Sequence, residues 1–276
     1  MRRLRLLFLT PAVSILLLLF AVPLCILLVY ACLTRGAYGG TAQPFTAENW
    51  LRLFDPLYLA IVGRSFLVAA VSTTVCLLLG FPLALFISRS GPRKNLYLAL
   101  VMLPFWTSFL VRTYAWMFLL RDTGLINTGL QALGLIKEPL PMLYNWWAVI
   151  LGLVYGYLPF MVLPLFSTLE RLDPGLVEAA ADLGARPMQG LLRVILPLTA
   201  PGIRAGAILV FIPCLGAYLT PDLLGGGRTI LVGTLIQNQF SNARDWPFGS
   251  AVSIALMALV MVVLWLQIRR KGEPLL

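Results

Sequence analysis

Long apolar runs separated by short polar segments set the pattern of this 276-residue chain. Six runs reach the roughly 20 residues that a helix needs to cross a bilayer core, at 7–33, 65–88, 95–120, 145–168, 203–220 and 248–268. Because the runs are continuous rather than alternating, helices are favoured over a β-barrel. The sequence predicts an all-α membrane protein with six transmembrane helices in a single domain, 1–276. Amphipathic helices are also predicted between the runs, at 126–133 and 231–240.

Prolines lie inside several of these runs, and each removes a backbone donor that a continuous helix needs. They are Pro23, Pro82, Pro104, Pro159, Pro164 and Pro213. In lipid, such an interruption is tolerated only where neighbouring protein or a cavity satisfies the freed carbonyl. We therefore expect kinked helices, which suit a protein that rearranges but also occur in static bundles.

Lysine and arginine are unevenly distributed over the segments that connect the runs. Twelve of the 21 fall in the 45 residues of four segments, 1–6, 89–94, 169–193 and 269–276. Only six fall in the 79 residues of three others, 34–61, 121–144 and 221–247. The positive-inside rule makes the first set cytoplasmic. Both termini are therefore expected inside the cell, as is the long segment that follows the fourth run.

Composition supports a chain embedded in lipid and argues against several other classes of protein. Sixty per cent of the residues are hydrophobic and 12% are charged, whereas a soluble domain carries about 25% charged residues. The basic residues flank apolar runs and form no single face, so nucleic-acid binding is not indicated. The chain has no histidine, and its four cysteines lack metal-ligand spacing. Neither a metal site nor histidine-dependent catalysis is therefore expected.

The segment after the fourth run has the signals of two short helices joined by a turn. Asp173 is a good N-cap residue, and the proline after it suits the first helical position. Gly184 can end this helix in the left-handed conformation, and Pro187 can begin a second helix. The alanines at 179–181 make the first helix slim enough to enter a groove in a partner. From the residues alone, an ordinary solvated loop remains the simpler alternative.

The stretch EAAADLGARPMQGLLRVILP, residues 178–197, resembles the signature of permease subunits of binding-protein-dependent ABC importers. That signature is Glu-Ala-Ala, three residues, Gly, nine residues, Ile, one residue and Leu-Pro. All its positions match here except that Val194 replaces Ile. Further stretches look like permeases of spermidine/putrescine importers: FDPLYL (54–59), LPFWTSFLVRTYAW (103–116), LVYGYLPFMVLPLFSTLERLD (153–173) and NARDWPFGSA (242–251).

The resemblance implies the type I importer fold and a transport role in the bacterial inner membrane. In this family a cytoplasmic coupling loop, here about 169–197, docks on a separate ATPase. The residues implied to form the docking surface are Glu178, Ala179, Ala180, Asp182, Gly184 and Arg186. ATP and Mg²⁺ would bind to the ATPase, because this chain has no phosphate-binding loop of the Gly-x-x-x-x-Gly-Lys-Ser/Thr type. No cofactor and no enzymatic activity are expected in the chain itself.

The same resemblance implies the partners and the cargo. The partners are a second, different permease, two ATPase subunits and a periplasmic substrate-binding protein, all working at the lipid membrane. The cargo is expected to be a polyamine, spermidine or putrescine. Polyamines need carboxylates and aromatic faces, and we expect four such side chains to line the path: Trp106, Tyr155, Tyr218 and Asp222. For each aromatic residue, lipid or core packing is the alternative, and Asp222 could instead be the N-cap of a loop helix.

Arg112 is unusual because a charged side chain within a membrane span is costly and is generally paired or functional. An arginine in the path would repel a cationic substrate, so a structural role is expected. The sequence allows its side chain to reach the outer interface or to pair with Asp122, and it could also face the second permease.

Two alternative functions remain open, of which the second, a different cargo, is the closer one. A secondary transporter would show inverted repeats and acids buried within its spans, and neither is visible. The same type of importer could instead carry thiamine, iron or an organic anion, since the binding protein chooses the cargo.

Overall fold

The computed structural model describes residues 2–269, and most of them are helical. The α-helices are, in chain order, α1 (Arg2–Ala31), α2 (Glu48–Arg52), α3 (Pro56–Ser88), α4 (Lys94–Met102), α5 (Phe109–Leu120), α6 (Leu125–Ala132), α7 (Trp146–Glu170), α8 (Pro174–Asp182), α9 (Pro187–Gly190), α10 (Leu196–Leu198), α11 (Ala200–Gly216), α12 (Leu219–Gly225), α13 (Val232–Ser241) and α14 (Trp246–Arg269). Strands β1 (Leu33–Arg35) and β2 (Thr41–Phe45) add an antiparallel hairpin that was not predicted. Two basic residues counted at the C-terminus, Arg270 and Lys271, lie outside the described residues.

The number of membrane-spanning elements agrees with the sequence. Within residues 2–269, four helices are long and apolar enough to cross a membrane on their own, and they lie in α1, α3, α7 and α14. Two further pairs of helical segments reach that length together but bend sharply at a short break. Six spans, the predicted number, result when each bent pair counts as one. Both predicted amphipathic helices also form, as α6 and α13.

The first bent pair replaces the continuous helix predicted at 95–120. Its two parts, Gly91–Trp106 and Phe109–Ala132, meet at 88°. Thr107 between them is extended, with φ −89° and ψ 151°. Its hydroxyl donates a hydrogen bond to the Pro104 carbonyl at 2.7 Å. The break thus follows a short 3-10 turn that begins around the proline.

The second bent pair covers most of the fifth predicted run, 203–220. Its parts, Pro187–Leu198 and Ala200–Gly216, meet at 67° around Thr199. The Thr199 N–H and hydroxyl both donate to the Ile195 carbonyl, each at 2.9 Å, so this carbonyl beside the bend accepts two hydrogen bonds. Helix α11 ends four residues before the predicted end of this run, and the separate helix α12 follows.

The chain divides into two compact units, of which the first combines residues up to Ile61 with those from Leu235 onward. In this unit α1 packs along α14. Arg52 forms an ion pair with Asp245 at 3.0 Å, which joins α2 to the start of α14. Burial lowers the pKa of the Arg52 guanidinium, but the hydrogen bonds and charges of Asp245 and Tyr58 outweigh it, so that the pKa is raised.

The second unit, from Val62 to Thr234, is built around the close packing of α7 and α11. A Cβ added at Gly202 would lie 2.8 Å from the Pro164 carbonyl oxygen, and one added at Gly206 would lie 2.7 Å from the sulfur of Met161. Two glycines one helical turn apart therefore let α11 approach α7 closely, a packing typical of membrane helices. The two helices thus form one tightly packed pair.

Candidate coupling surface and substrate path

Helices α8 and α9 begin with the signals that predicted them. The Asp173 carboxylate accepts a hydrogen bond from the Gly175 N–H at 2.9 Å, so it caps the start of α8. Pro187 is the first residue of α9. The Gln189 side-chain oxygen accepts a hydrogen bond from the Arg186 N–H at 2.8 Å, which fixes the entry into α9. Both starts rest on contacts within three residues of each other.

The end of α8 is closed by a turn that glycine makes possible. Gly184 has φ +83°, the left-handed conformation that was predicted. Its N–H donates to the Ala181 carbonyl at 2.8 Å, and the Ala185 N–H donates to the Ala180 carbonyl at 3.0 Å. These two bonds form a Schellman motif, which satisfies carbonyls that the helix end would otherwise leave open.

Most of the residues implied in docking lie on the surface of this segment. Five are exposed: Glu178, Ala179, Asp182, Gly184 and Arg186. Ala180 is half-buried and, with Val177, lines a cavity of about 380 Å³ that Leu85 of α3 also lines. Helix α8 therefore presents one face outward and turns Ala180 toward the rest of its own chain. A variant at Ala179 is thus a cleaner probe of docking than one at Ala180.

Two apolar side chains of this segment were missed as candidate docking residues. Leu183 is 89% exposed and Met188 is 62% exposed. Leu183 continues the helical spacing of the apolar residues in α8, and that spacing alone would place it on a packed face. It follows the last residue of the helix, however, and the capping turn carries it outward. Exposed apolar groups beside exposed charges are typical of a surface that another protein covers.

The segment that holds α8 and α9, 174–190, continues toward α11 without an intervening loop. A π-helical turn, Leu191–Ile195, follows α9, and α10 follows the turn directly. The 67° bend then leads into α11. On its other side, α8 begins four residues after the end of α7. The segment is therefore attached at both ends to the tightly packed pair of α7 and α11.

Two of the expected path residues lie at breaks in helices. Trp106 is the last residue of the 3-10 turn before the extended Thr107, and its side chain is 87% exposed. Tyr218 lies between α11 and α12 and is 46% exposed. A broken backbone at membrane depth is tolerated where it lies in protein or lines a cavity. Such breaks are also where membrane transporters place their binding sites.

Asp222 lies in α12 and lines a pocket of about 420 Å³ together with Met117, Tyr144 and Arg228. Its alternative role as an N-cap is wrong, because α12 begins at Leu219 and Asp222 is its fourth residue. No ion pair joins Asp222 to Arg228 within the part of the chain that the structure describes. The exposed carboxylate therefore remains available to a ligand.

The backbone of Tyr144 is held in an unusual conformation beside this pocket. Its φ is +60°, a strained value for a bulky residue. Its N–H donates to the Leu224 carbonyl at 2.9 Å, and its ring packs on Gly226, where a side chain would clash with it. Strain of this kind is often kept where it positions a functional group. Tyr144 was not predicted, and no local sequence signal indicates its conformation.

Tyr155 lies in a different environment from Asp222. It lines a small cavity of about 10 Å³ that Arg112 also lines. Its ring packs edge-on against Trp116, with 5.5 Å between the ring centres. The structure therefore brings Tyr155 close to Arg112, and it places Asp222 beside Tyr144 in a separate pocket.

The pairing of Arg112 with Asp122, one of the alternatives that the sequence allows, is not formed. The Arg112 guanidinium lies over the rings of Phe105 and Phe109, at 5.0 and 5.7 Å from their centres. Side chains of a helix lean toward its N-terminus. Arg112 follows this rule, so its charge points back toward residues that precede it and away from Asp122.

Comparison with known proteins finds a family and, among others, two relatives, all three described as components of transport systems. Residues 76–269 match the family described as binding-protein-dependent transport system inner membrane component. The chain is 45% identical over 249 residues to the spermidine/putrescine transport system permease protein PotB of Haemophilus influenzae, covering 90% of this chain and 87% of that one. It is 44% identical over 237 residues to PotB of Escherichia coli, covering 84% and 86%.

The fold is also similar to that of a solved structure. It matches a chain in the crystal structure of a bacterial alginate ABC transporter in complex with an alginate pentasaccharide-bound periplasmic protein. The TM-score is 0.74 at 18% identity, covering 98% of this chain and 96% of that one. At this identity the likeness concerns the fold alone.

Proposed function

The chain belongs to the family of binding-protein-dependent transport system inner membrane components, and we propose that it moves polyamines as the permease subunit of an ABC importer. It is a multi-pass inner membrane protein and a transport subunit. The observation that carries the choice of cargo is the identity of 44–45% to two spermidine/putrescine permeases over 84–90% of this chain. The expected fold, that of an ABC importer permease, is confirmed by the structural likeness.

The proposed docking surface comprises the exposed face of α8 and the capping turn after it. Glu178 and Asp182 supply negative charge there, Arg186 supplies positive charge, and Leu183 supplies an apolar contact. The ATPase that docks on this surface binds ATP and Mg²⁺, and this chain hydrolyses none. Both termini and α8 lie in the cytoplasm under the positive-inside rule.

Coupling follows from the way α8 is attached. Docking can shift the permease between states only if the ATPase binds α8 differently in each state. Because α8 is joined closely to both α7 and α11, a movement of α8 is transmitted to that helix pair. Helix α11 ends at Gly216, next to Tyr218 and α12. Movement on the cytoplasmic side can therefore reach the pocket that Asp222 lines.

The substrate path is proposed to start at that pocket. A polyamine carries ammonium groups on an apolar chain, so it suits a carboxylate beside aromatic and thioether groups. These groups are supplied by Asp222, Tyr144 and Met117. The positive charge of Arg228, which lines the same pocket, limits the number of cations that the pocket holds. Tyr218 and Trp106 at the helix breaks are proposed to line the rest of the path, whereas Tyr155 lies beside the charge of Arg112 and its place in the path stays a prediction. The second permease supplies the opposite wall.

The most direct test of the cargo is the periplasmic binding protein that the intact importer recruits. The chain is co-expressed with the second permease and the ATPase, and the loaded binding protein is captured and its ligand identified by mass spectrometry. Spermidine or putrescine is the expected ligand. Thiamine, iron or an organic anion in its place would refute the polyamine assignment while leaving the importer class intact.

A further inference from the structure

Two arginines at the end of α3 carry charges that no acid of the described chain balances. Arg89 follows the last residue of α3, and Arg93 ends the short 3-10 turn that leads into α4. Both residues are exposed, and neither forms an ion pair within residues 2–269. In contrast, the neighbouring Lys94 forms an ion pair with Glu170 of α7. This end of α3 therefore presents two positive charges that the fold leaves open.

The two arginines line one cavity of about 560 Å³, which we call the α3 pocket. Its volume is in the range of roughly 300–1,000 Å³ that is typical of ligand sites. No acidic side chain is among the described residues that line it, and its other polar residues are Ser90 and Tyr97. The Ser90 hydroxyl already donates to the Phe86 carbonyl, at 2.7 Å. The strong donors of the pocket are thus two guanidinium groups, which suit a ligand with negative charge.

The remaining wall of the α3 pocket is apolar and belongs to α3. It consists of Pro82, Leu85 and Phe86, and the Phe86 side chain is 57% exposed. Leu78, one helical turn before Pro82, is 67% exposed. These residues and Arg89 recur at intervals of three and four, so they share one face of the helix. The pocket therefore joins a cationic helix end to an apolar stripe that runs into the membrane span.

The chemistry of a ligand for this pocket follows from its two walls. Arginine binds phosphate oxygens through parallel N–H bonds, but a free phosphate would leave the apolar wall unused. An anionic phospholipid supplies both a phosphate and an acyl chain. A zwitterionic phospholipid also carries an ammonium group, which two unbalanced arginines repel. Basic pockets beside membrane helices on the cytoplasmic side are known to take anionic lipid headgroups.

We propose that the α3 pocket binds one anionic phospholipid of the inner leaflet, with its phosphate between Arg89 and Arg93 and an acyl chain along Phe86 and Leu78. The inference rests on the proposed function in one respect, namely that this end of α3 lies on the cytoplasmic side. It does not depend on which solute is carried.

The bound lipid would lie next to the coupling loop. Arg89 and Leu85 also line the cavity of about 380 Å³ on which Ala180 of α8 lies. Arg93 lines the α3 pocket but not that second cavity. Arg93→Gln is therefore the cleaner variant for lipid binding, because Arg89→Gln changes the surroundings of α8 as well.

Lipid binding to the purified importer tests the proposal. The complex of both permeases and the ATPase is titrated in detergent with phosphatidylglycerol or phosphatidylcholine, and native mass spectrometry counts the bound lipids. Arg93→Gln is expected to weaken the binding of one phosphatidylglycerol about 10-fold, and the double variant with Arg89→Gln about 100-fold, since hydrogen bonds to a charged group are lost. Arg171→Gln is the matched control. It removes the same charge at an exposed position outside both cavities and should leave lipid binding unchanged.

Four results would overturn the proposal. The first two are unchanged lipid binding in Arg93→Gln and equal affinity for phosphatidylcholine. The third is competition by soluble glycerol phosphate at the same concentration as the lipid, which would show that the apolar wall contributes nothing. The fourth is weaker ATPase association in Arg93→Gln with lipid binding unchanged, which would assign the arginines to the ATPase. Because detergent has no leaflets, an error in the cytoplasmic assignment or in the cargo leaves this measurement unaffected.

Discussion

The coupling loop proposed to dock on the ATPase, about 169–197, and the pocket around Asp222 are built in different ways. The first is held by contacts between near neighbours, such as the Asp173 cap and the turn at Gly184. The second is held by contacts between distant parts of the chain, such as that between Tyr144 and Leu224. A docking element built locally can move as one piece. A binding pocket built from distant segments changes shape when those segments move.

The largest effect is expected from a charge placed on the docking face. Ala179→Glu adds bulk and charge to an exposed position, so the fold should persist while the fit to the ATPase is lost. We expect ATP-driven uptake to fall by about 100-fold, the size of effect that blocking a central contact of an interface produces. Uptake and ATPase co-purification are measured together. Gln131→Glu, an exposed position in α6, is the control, and equal losses in both variants would refute a specific docking role for α8.

A smaller but clear effect is expected from neutralising the pocket. Asp222→Asn keeps the shape of the side chain and removes its charge, so polyamine uptake should fall about 10-fold or more, as expected when a hydrogen bond to a charged group is weakened. Assembly with the ATPase should be normal. Glu138→Gln removes an acid elsewhere in a predicted outer segment and should leave uptake unchanged. Unchanged uptake in Asp222→Asn would show that this carboxylate is not in the path.

Variants at two neighbouring glycines distinguish the contribution of the long-range contact with Tyr144 from that of local backbone strain. Gly226 and Gly227 both have positive φ, at 56° and 74°, but only Gly226 packs against Tyr144. Alanine at either position is expected to lower stability by roughly 1–2 kcal/mol, because a side chain disfavours the left-handed backbone conformation. Gly226→Ala should cost more than Gly227→Ala in thermal unfolding because it also displaces the ring. Equal costs would mean that the contact with Tyr144 contributes nothing to the pocket.

The smallest effect is expected at the turn that ends α8. Gly184→Ala places a side chain at φ +83° and should lower stability by roughly 1–2 kcal/mol. Gly190→Ala is the matched control, because Gly190 has an ordinary helical φ of −58° and open space for a Cβ. Alanine there should be neutral or slightly stabilising. Equal melting temperatures for the two variants would argue that the turn is not held in the left-handed form.

The difference between the two regions also explains which parts of the structure could be predicted from the sequence. Caps such as Asp173 and Gly184 act over a few residues, so α8 could be predicted from the amino-acid sequence alone. The helix breaks were not, because Pro159 and Pro164 lie within the continuous helix α7 whereas Pro104 precedes a break. Which proline interrupts a helix depends on the packing of distant neighbours. The same holds for Tyr144, whose strained backbone is set by contacts some 80 residues away in sequence.

Uptake of labelled spermidine by proteoliposomes tests the central claim most directly. They contain this chain, its second permease and the ATPase, with the binding protein supplied on the outer face. The account predicts accumulation that requires both ATP and the binding protein, is competed by putrescine, and is lost in Ala179→Glu. Accumulation that persists without ATP, or that is unchanged in Ala179→Glu, would contradict it.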